Sequence, residues 1–354
     1  MKKINWKDPL SSPTYFIADI AANHDGSLDR AKKLIQLAAE SGADAAKFQN
    51  FKAETIVSRR GFRELGEKLT HQATWKKDVF DVYQDAELPI EWTDELISTC
   101  KEFNVDYFTA PYDLEFVDYF AGKMPFFKIG SGDITWSESI RRMADKGIPI
   151  ILATGASTIQ EVNLAMDILS EYDIPVVLMQ CNTNYTGEID NFNYLNLKVL
   201  NEFSAQYPHA VLGLSDHSPG HVAVLGAVAL GARVVEKHFT DDTSRIGPDH
   251  GFSLDAESWK KMVEDTRLLE RALGDGIKKV EDNEIQSRIV QRRALRFAAN
   301  LSKGHKLCTT DLVALRPIPE NGISPSNLRN YIGRSLNQDV EFDQLLTEEL
   351  LESD

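Results

Sequence analysis

Two histidines, His217 in GLSDHS and His238 in VVEKHF, stand at the ends of consecutive apolar runs, close to Asp216 and Glu236. Neighbouring strands lie about 4.8 Å apart, so imidazoles at adjacent strand ends can reach one metal ion. Asp216, Glu236 and Asp249 (in RIGPDH) are carboxylates able to complete or tune such a shell. The competing reading leaves each histidine as a hydrogen-bonded rim residue, the ordinary state of an isolated one. Lys47 in DAAKFQN and Lys128 in FFKIGSGD end two further runs. A lysine in a core strand buries a charge unless an anion meets it, so the pair reads as an anion cradle or as structural salt bridges. In GSGD, Ser131 and two glycines allow backbone N–H groups to approach a phosphate, although Gly-Ser-Gly alone is an ordinary turn. Thr154 and Ser215 add hydroxyls to the same cradle, and Asn182, Asn184 and Tyr185 offer amide and phenol groups to a polyhydroxylated ligand, or simply form a turn. No Ser/His/Asp nucleophile set is legible, because Ser215 precedes His217 on one loop without elbow glycines. Together these groups predict a phosphorylated carboxylate and a sugar meeting at a divalent ion.

Such residues need a scaffold that gathers them. Short apolar runs recur at Tyr15–Ile20, Ala43–Phe48, Val105–Thr109, Phe126–Gly130, Ile148–Thr154, Pro175–Cys181, Ala210–Ser215 and Ala232–His238. Nearly every run closes on a polar or chargeable residue, beginning with Asp19 in the first. Strands buried on both faces read as continuous apolar runs, and eight of them with polar ends predict a (β/α)8 TIM barrel, an α/β fold with its site at the C-terminal rim. Amphipathic segments fill the intervals: Ser27–Ser41 before Gly42, Thr93–Asn104, Asp113–Ala121, Ser137–Lys146, Thr158–Ser170 and Asp255–Leu273. Ser157 or Thr158 is the expected cap of the fifth, with Gln160 or Glu161 completing a capping box. The connection from Asn50 to Leu88 is abnormally long, which marks a functional loop. Trp75, Phe80 and Tyr83 predict a short packed helix within it, whereas Ser58–Lys68 reads as a mobile lid.

The 354 residues exceed the roughly 250 of one barrel, so a second module is expected. The predicted organisation is a barrel over 1–275, a charged linker over 276–293, and a small mostly-β module over 294–354 punctuated by Gly304, Pro317, Pro319, Gly322, Pro325 and Gly333. A formal net charge of −15 argues against nucleic acid or an anionic membrane as partner, and an anionic substrate needs a local cationic pocket. No apolar stretch approaches the ~20 residues of a membrane span. Cys100, Cys181 and Cys308 lie far apart without CxxC spacing, and the first two read as buried reduced thiols, so a cytosolic protein is expected.

FIADIAANHDGS, AAKFQ, FFKIGSGD, ILATGA, LMQCNTNY, GLSDHS, VVEKHFT and GPDHGFSL resemble, in order, the motifs of the sialic acid (N-acetylneuraminate) synthase family. LRP and YIGRSL resemble its C-terminal antifreeze-like (SAF, β-clip) domain. The resemblance implies condensation of phosphoenolpyruvate with an open-chain 2-acetamido hexose to a 2-keto-3-deoxy nonulosonic acid and phosphate. It also implies Mn2+ or Mg2+, and a domain-swapped homodimer in which the SAF domain caps the partner's site. It assigns the metal to His217 and His238, phosphoenolpyruvate to Lys47, Lys128, Ser131 and Ser215, and the sugar to Gln49, Tyr185, Asp249 and Arg316. Asp19, helped by Glu236, takes the developing positive charge and the incoming water's proton. The chain departs from the family pattern where AEIG becomes Ala18-Asp19-Ile20-Ala21, where GSGE ends in Asp133, and where Ala153 and Ala110 replace hydroxyl residues. Those hydroxyls are then missing or supplied by Thr109 and Thr154. The rival enzyme is another phosphoenolpyruvate aldol synthase taking a phosphorylated aldose, of the 3-deoxy-heptulosonate or octulosonate phosphate type. A second rival is a sugar-binding homologue disabled by those departures.

Overall fold

In the computed structural model, which describes Ile4 and residues 11–352, the chain divides into two compact units, Met1–Gly274 and Asp275–Asp354. The first contains eight strands: β1 Tyr15–Asp19, β2 Ala45–Asn50, β3 Asp106–Pro111, β4 Phe127–Ile129, β5 Ile150–Ala153, β6 Val176–Cys181, β7 Val211–Asp216 and β8 Val234–His238. Every ladder between them is parallel, in the order β3-β2-β1-β8-β7-β6-β5-β4, and β3 lies alongside β4 to complete the ring. Eight helices follow the strands in turn: α1 Leu28–Glu40, α2 Thr93–Glu102, α3 Leu114–Phe120, α4 Ser137–Ala144, α5 Ile159–Ser170, α6 Val199–Gln206, α7 Val222–Ala229 and α8 Ala256–Leu273. This is the (β/α)8 barrel.

Local chemistry sets these boundaries. Ser27 caps α1 by accepting the Arg30 N–H, and Gly42 takes φ +92° as the chain turns into β2. Thr158 and Glu161 form a full capping box on α5. The strands bury nearly every residue on both faces, which is why they read as apolar runs rather than alternating ones. Side chains still alternate between barrel interior and helical shell, and register decides which residues share the interior. Asp19 is level with Lys47 and His238, and Ser215 with Glu236 and Cys181.

The connection after β2 is more ordered than its sequence suggests. Short helices occupy Ala53–Ile56, Arg59–Glu64 and Val79–Asp85, the last including Phe80 and Tyr83. The stretch read as a mobile lid therefore contains a helical turn capped by Ser58, whose hydroxyl accepts the Gly61 N–H. The second unit pairs β9 Ala294–Phe297 with β10 Leu312–Leu315 antiparallel and has its own core, including Leu295, Phe297, Leu336 and Leu346. The helix Ile285–Gln291 lies within the segment read as linker, and Arg316 is an exposed residue of this unit. Among the described residues no helix is long and apolar enough to cross a membrane.

Candidate active site

A cavity of about 330 Å3 opens at the C-terminal ends of the strands. Its floor is charged. The Lys47 Nζ stands 2.6 Å from Asp19 Oδ2 and 3.7 Å from Glu236 Oε1, and Lys128 Nζ is 3.2 Å from the same Glu236 oxygen. All four side chains are at least 95% buried. Burial pulls the Lys47 ammonium down, but attraction to Asp19 and Glu236 outweighs it and leaves the group above its usual range. Gln49 Nε2 lies 3.4 Å from Asp19 Oδ2, and Ser215 donates to Glu236 at 3.3 Å. Glu236 Oε2 is buried without a hydrogen-bond partner.

Beside this cluster the two imidazoles lie 5.4 Å apart, centroid to centroid. His217 Nδ1 sits 2.8 Å from the Asn182 carbonyl, which fixes the proton there and leaves Nε2 with its lone pair. His238 Nε2 is 3.5 Å from Asp19 Oδ2, and its Nδ1 is buried without a partner. Burial lowers His217 to about 4 and pushes His238 well down, so both rings are neutral at pH 7. Tyr185 packs edgewise on His217 at 4.3 Å, and Phe252 lies 4.8 Å from His238. Asp249 accepts the Ala22 N–H at 3.0 Å, and burial, with Asp19 nearby, pushes its carboxyl up to about 7. Asp133 is pushed up to about 6 by burial. Ser131 Oγ accepts the Gly155 N–H at 2.9 Å.

Strand parity separates the remaining expectations. The Thr154 hydroxyl donates to the Met179 carbonyl at 2.8 Å, and that of Thr109 to Asn50 Oδ1 at 2.7 Å. Both lie one residue from inward positions, so neither supplies the hydroxyls lost at Ala153 and Ala110. Asp216 likewise points to the shell, where it pairs with Lys237 at 2.7 Å, and cannot join the histidines. Asn182 and Asn184 form consecutive side-chain turns, accepting the Asn184 and Thr186 N–H groups, and neither lines the cavity. Asn182 contributes through its backbone instead. Arg316 belongs to the second unit, whereas the lining residues all belong to the first.

Several lining residues were not among the sequence candidates. Cys181 is in register with Ser215, and that pairing puts its side chain inside. Tyr112 closes over Gly130, where a Cβ would meet its hydroxyl at 2.7 Å. His71 and Tyr83 come from the long β2 connection, which walls the cavity together with Trp75 and Phe51. The His71 ring contacts Tyr185 at 5.0 Å.

A charged, half-closed pocket at the C-terminal rim of a (β/α)8 barrel defines a barrel enzyme. The chain belongs to the NeuB family, whose model matches residues 34–278. It is accordingly a phosphoenolpyruvate-dependent synthase, a transferase. It is 34% identical to an N,N'-diacetyllegionaminic acid synthase of Legionella pneumophila, covering 99% of each protein. It is 30% identical to a pseudaminic acid synthase of Campylobacter jejuni, over 94% of this chain and 95% of that one. A solved N-acetylneuraminic acid synthetase from Leptospira borgpetersenii, in complex with citrate, superposes with TM-score 0.68 at 27% identity, covering 78% of this chain and 90% of that one.

Proposed function

We propose that this chain condenses phosphoenolpyruvate with an open-chain 2-acetamido hexose, either N-acetylmannosamine or a deoxy-diacetamido relative, releasing phosphate and a 2-keto-3-deoxy nine-carbon acid. The observation that carries this reading is the buried Asp19–Lys47–Glu236–Lys128 cluster beside two neutral imidazoles on one rim. The relatives similar to it make legionaminic, pseudaminic and neuraminic acids, which favours an acetamido sugar over a phosphorylated aldose.

Lys47 and Lys128, with Ser131 and Ser215, bind the carboxylate and phosphate of phosphoenolpyruvate. When its methylene carbon attacks the aldehyde, positive charge grows on the central carbon, and the Asp19 carboxylate, with Glu236, stabilises it. Asp19 then accepts a proton from the water that attacks this carbon, and the bond from the carbon to the phosphate oxygen breaks, so that phosphate leaves and the keto group forms. Asp249, which holds a proton near neutrality, donates it to the former aldehyde oxygen. Gln49, Tyr185 and Asp133 orient the sugar, and Arg316 reaches in from a partner's SAF-type unit in a homodimer.

His217 and His238 would hold a divalent ion, Mn2+ or Mg2+. The fit rests on their neutrality, on the open nitrogen of each ring and on the carbonyl that fixes the His217 proton. Among the described residues no third histidine, cysteine or carboxylate completes the set, so other oxygen donors would fill it. When bound, the ion supplies Lewis-acid polarisation of the aldehyde oxygen.

The test is phosphate release and product mass, with purified protein, phosphoenolpyruvate, Mn2+ and a panel of acetamido hexoses, phosphorylated and not. Release with an unphosphorylated sugar supports the reading. Preference for a phosphorylated aldose favours the rival synthase, and no release with any sugar favours a binding protein.

A further inference from the structure

Among the described residues Asp249 is the one cavity carboxylate placed by a loop rather than by a strand or the short turn after β4, so something must hold that loop. The segment 239–253 after β8 is fastened to the segment 20–26 after β1 by a chain of buried contacts. Asn23 Nδ2 donates to both the Phe239 carbonyl and Ser253 Oγ at 2.9 Å, and Ser253 Oγ in turn donates to the Asp249 carbonyl at 2.6 Å. Next to Asp249, His250 is fully buried and bridges two loops. Its Nε2 is 3.0 Å from Asp25 Oδ1 and its Nδ1 is 2.7 Å from Thr240 Oγ1.

Asp25 is a hub. Its other oxygen accepts from Arg245 Nη2 at 2.6 Å and stands 3.2 Å from Arg30 Nε, and Arg30 also forks onto Asp241. The residue adopts φ +49°, an uncommon backbone state for a non-glycine, which the surrounding contacts hold. Gly247 lets the returning loop pass across the imidazole, since a Cβ there would lie 2.7 Å from His250 Cδ2. The order Thr240–His250–Asp25 has the polarity of a hydroxyl–imidazole–carboxylate relay. Thr240 is fully buried and absent from the cavity lining, so its hydroxyl meets no substrate. The relay's outlet is positional.

We propose that Thr240, His250 and Asp25 form a positioning relay that sets the Asp249 carboxylate in the cavity and thereby controls turnover. The proposal rests on the reading that Asp249 acts on the sugar. His250 and Asp25 are positioning residues, and they touch neither substrate.

A double-mutant cycle tests this. His250→Phe keeps the ring and removes both hydrogen bonds. It should lower kcat by about 10–100-fold, the usual range when a group that orients a working residue is lost, with the KM for phosphoenolpyruvate within about threefold. In an Asp249→Asn background the same change should cost less than about threefold, because its effect passes through the missing carboxylate. His250→Gln, whose amide nitrogen can still donate to Asp25, should recover most of the loss. If His250→Phe costs the same factor in both backgrounds, the relay idea is wrong. Should His250→Phe fail to fold, Asp25→Asn takes its place in the cycle. An independent readout needs no turnover. The Ala22 amide, which donates to Asp249, should lose hydrogen-exchange protection in His250→Phe, and unchanged protection would overturn the proposal. Wild-type protein inert toward every acetamido hexose would sink the synthase reading alone, leaving the exchange measurement to decide this one.

Discussion

Asp249→Asn should remove a pH-dependent weakness from the barrel. The Asp249 carboxyl sits at about 7 in the folded protein because of burial and the neighbouring Asp19, against an ordinary value of 3.8. Between roughly pH 4 and 7 the folded state keeps a proton that the unfolded chain has released, so stability falls as pH rises through that window. Above pH 7 the penalty is fully present, and below pH 4 it is gone. A shift of about 3 pH units corresponds to about 4 kcal/mol, an upper bound. The carboxyl is partly open to cavity water, which screens it and leaves about 2 kcal/mol. Asparagine cannot ionise, yet its carbonyl can still accept the Ala22 N–H. The variant should therefore gain about 2 kcal/mol on wild type between pH 4.5 and 8, or about 4–8 °C in melting temperature. Urea denaturation at pH 4.5, 6 and 8, after chelation of divalent ions, measures the difference. All five tryptophans precede Gly274, so their fluorescence reports the barrel unit. Parallel pH curves for the two proteins would refute the account of Asp249, and so would a variant weaker at pH 8.

Other consequences are more direct. His217→Ala and His238→Ala should each abolish synthesis, and calorimetry with Mn2+ should show at least tenfold weaker ion binding; near-normal turnover in metal-limited buffer would remove both from the ion's shell. Lys128→Met strands Glu236 with one fewer cation and removes an anion contact, so the KM for phosphoenolpyruvate should rise about 10–100-fold, the equivalent of about 1.4–2.7 kcal/mol; steady-state kinetics at pH 7.5 reads it. Gly155→Ala places a Cβ 2.3 Å from Thr183 Cγ2 and 2.9 Å from Ser131 Oγ. That crowding should cost about 1–3 kcal/mol and displace Ser131, visible together as a lower melting temperature and a higher KM for phosphoenolpyruvate.

The barrel was legible because the strands are buried on both faces and most end in a functional group, a pattern few other folds produce. The floor of the site followed for the same reason: Asp19, Lys47, Lys128, Ser215, Glu236, His217 and His238 all sit on or just past strand ends. Polar residues beside those positions were harder to place. Thr109, Thr154 and Asp216 differ from their functional neighbours by one residue, and a one-residue step turns a side chain from cavity to shell. Register is a property of pairing, and an isolated run of buried residues carries no mark of which face is which. The wall built from His71, Trp75 and Tyr83 was hidden differently. Tyr83 lies in the expected short helix, Val79–Asp85, whereas His71 and Trp75 come from the turn Thr70–Thr74 and its end, and nothing in that stretch of sequence says which side faces the cavity; packing such as that of His71 on Tyr185 decides it.

Counting charge in the cavity explains why two neutral imidazoles matter there. Asp19 and Glu236 supply two negative charges against the two positive ones of Lys47 and Lys128, the histidines add none, and Asp133 and Asp249, with carboxyls pushed up to about 6 and about 7, add further negative charge at neutral pH. Phosphoenolpyruvate, carrying a carboxylate and a phosphate, would thus enter a pocket with no net attraction, inside a protein of formal net charge −15. The lysines are not idle either. A pair at 3.2 Å, such as Lys128 with Glu236, represents about 5 kcal/mol of direct attraction at an effective dielectric near 20, which an incoming anion must match before it gains anything. A divalent cation, if His217 and His238 hold one as proposed, would add two positive charges beside the same cluster and would relieve the repulsion between Asp19 and an arriving phosphate. On this reasoning the carboxylates serve the transition state, where positive charge appears, and a cation would let the substrate tolerate them beforehand.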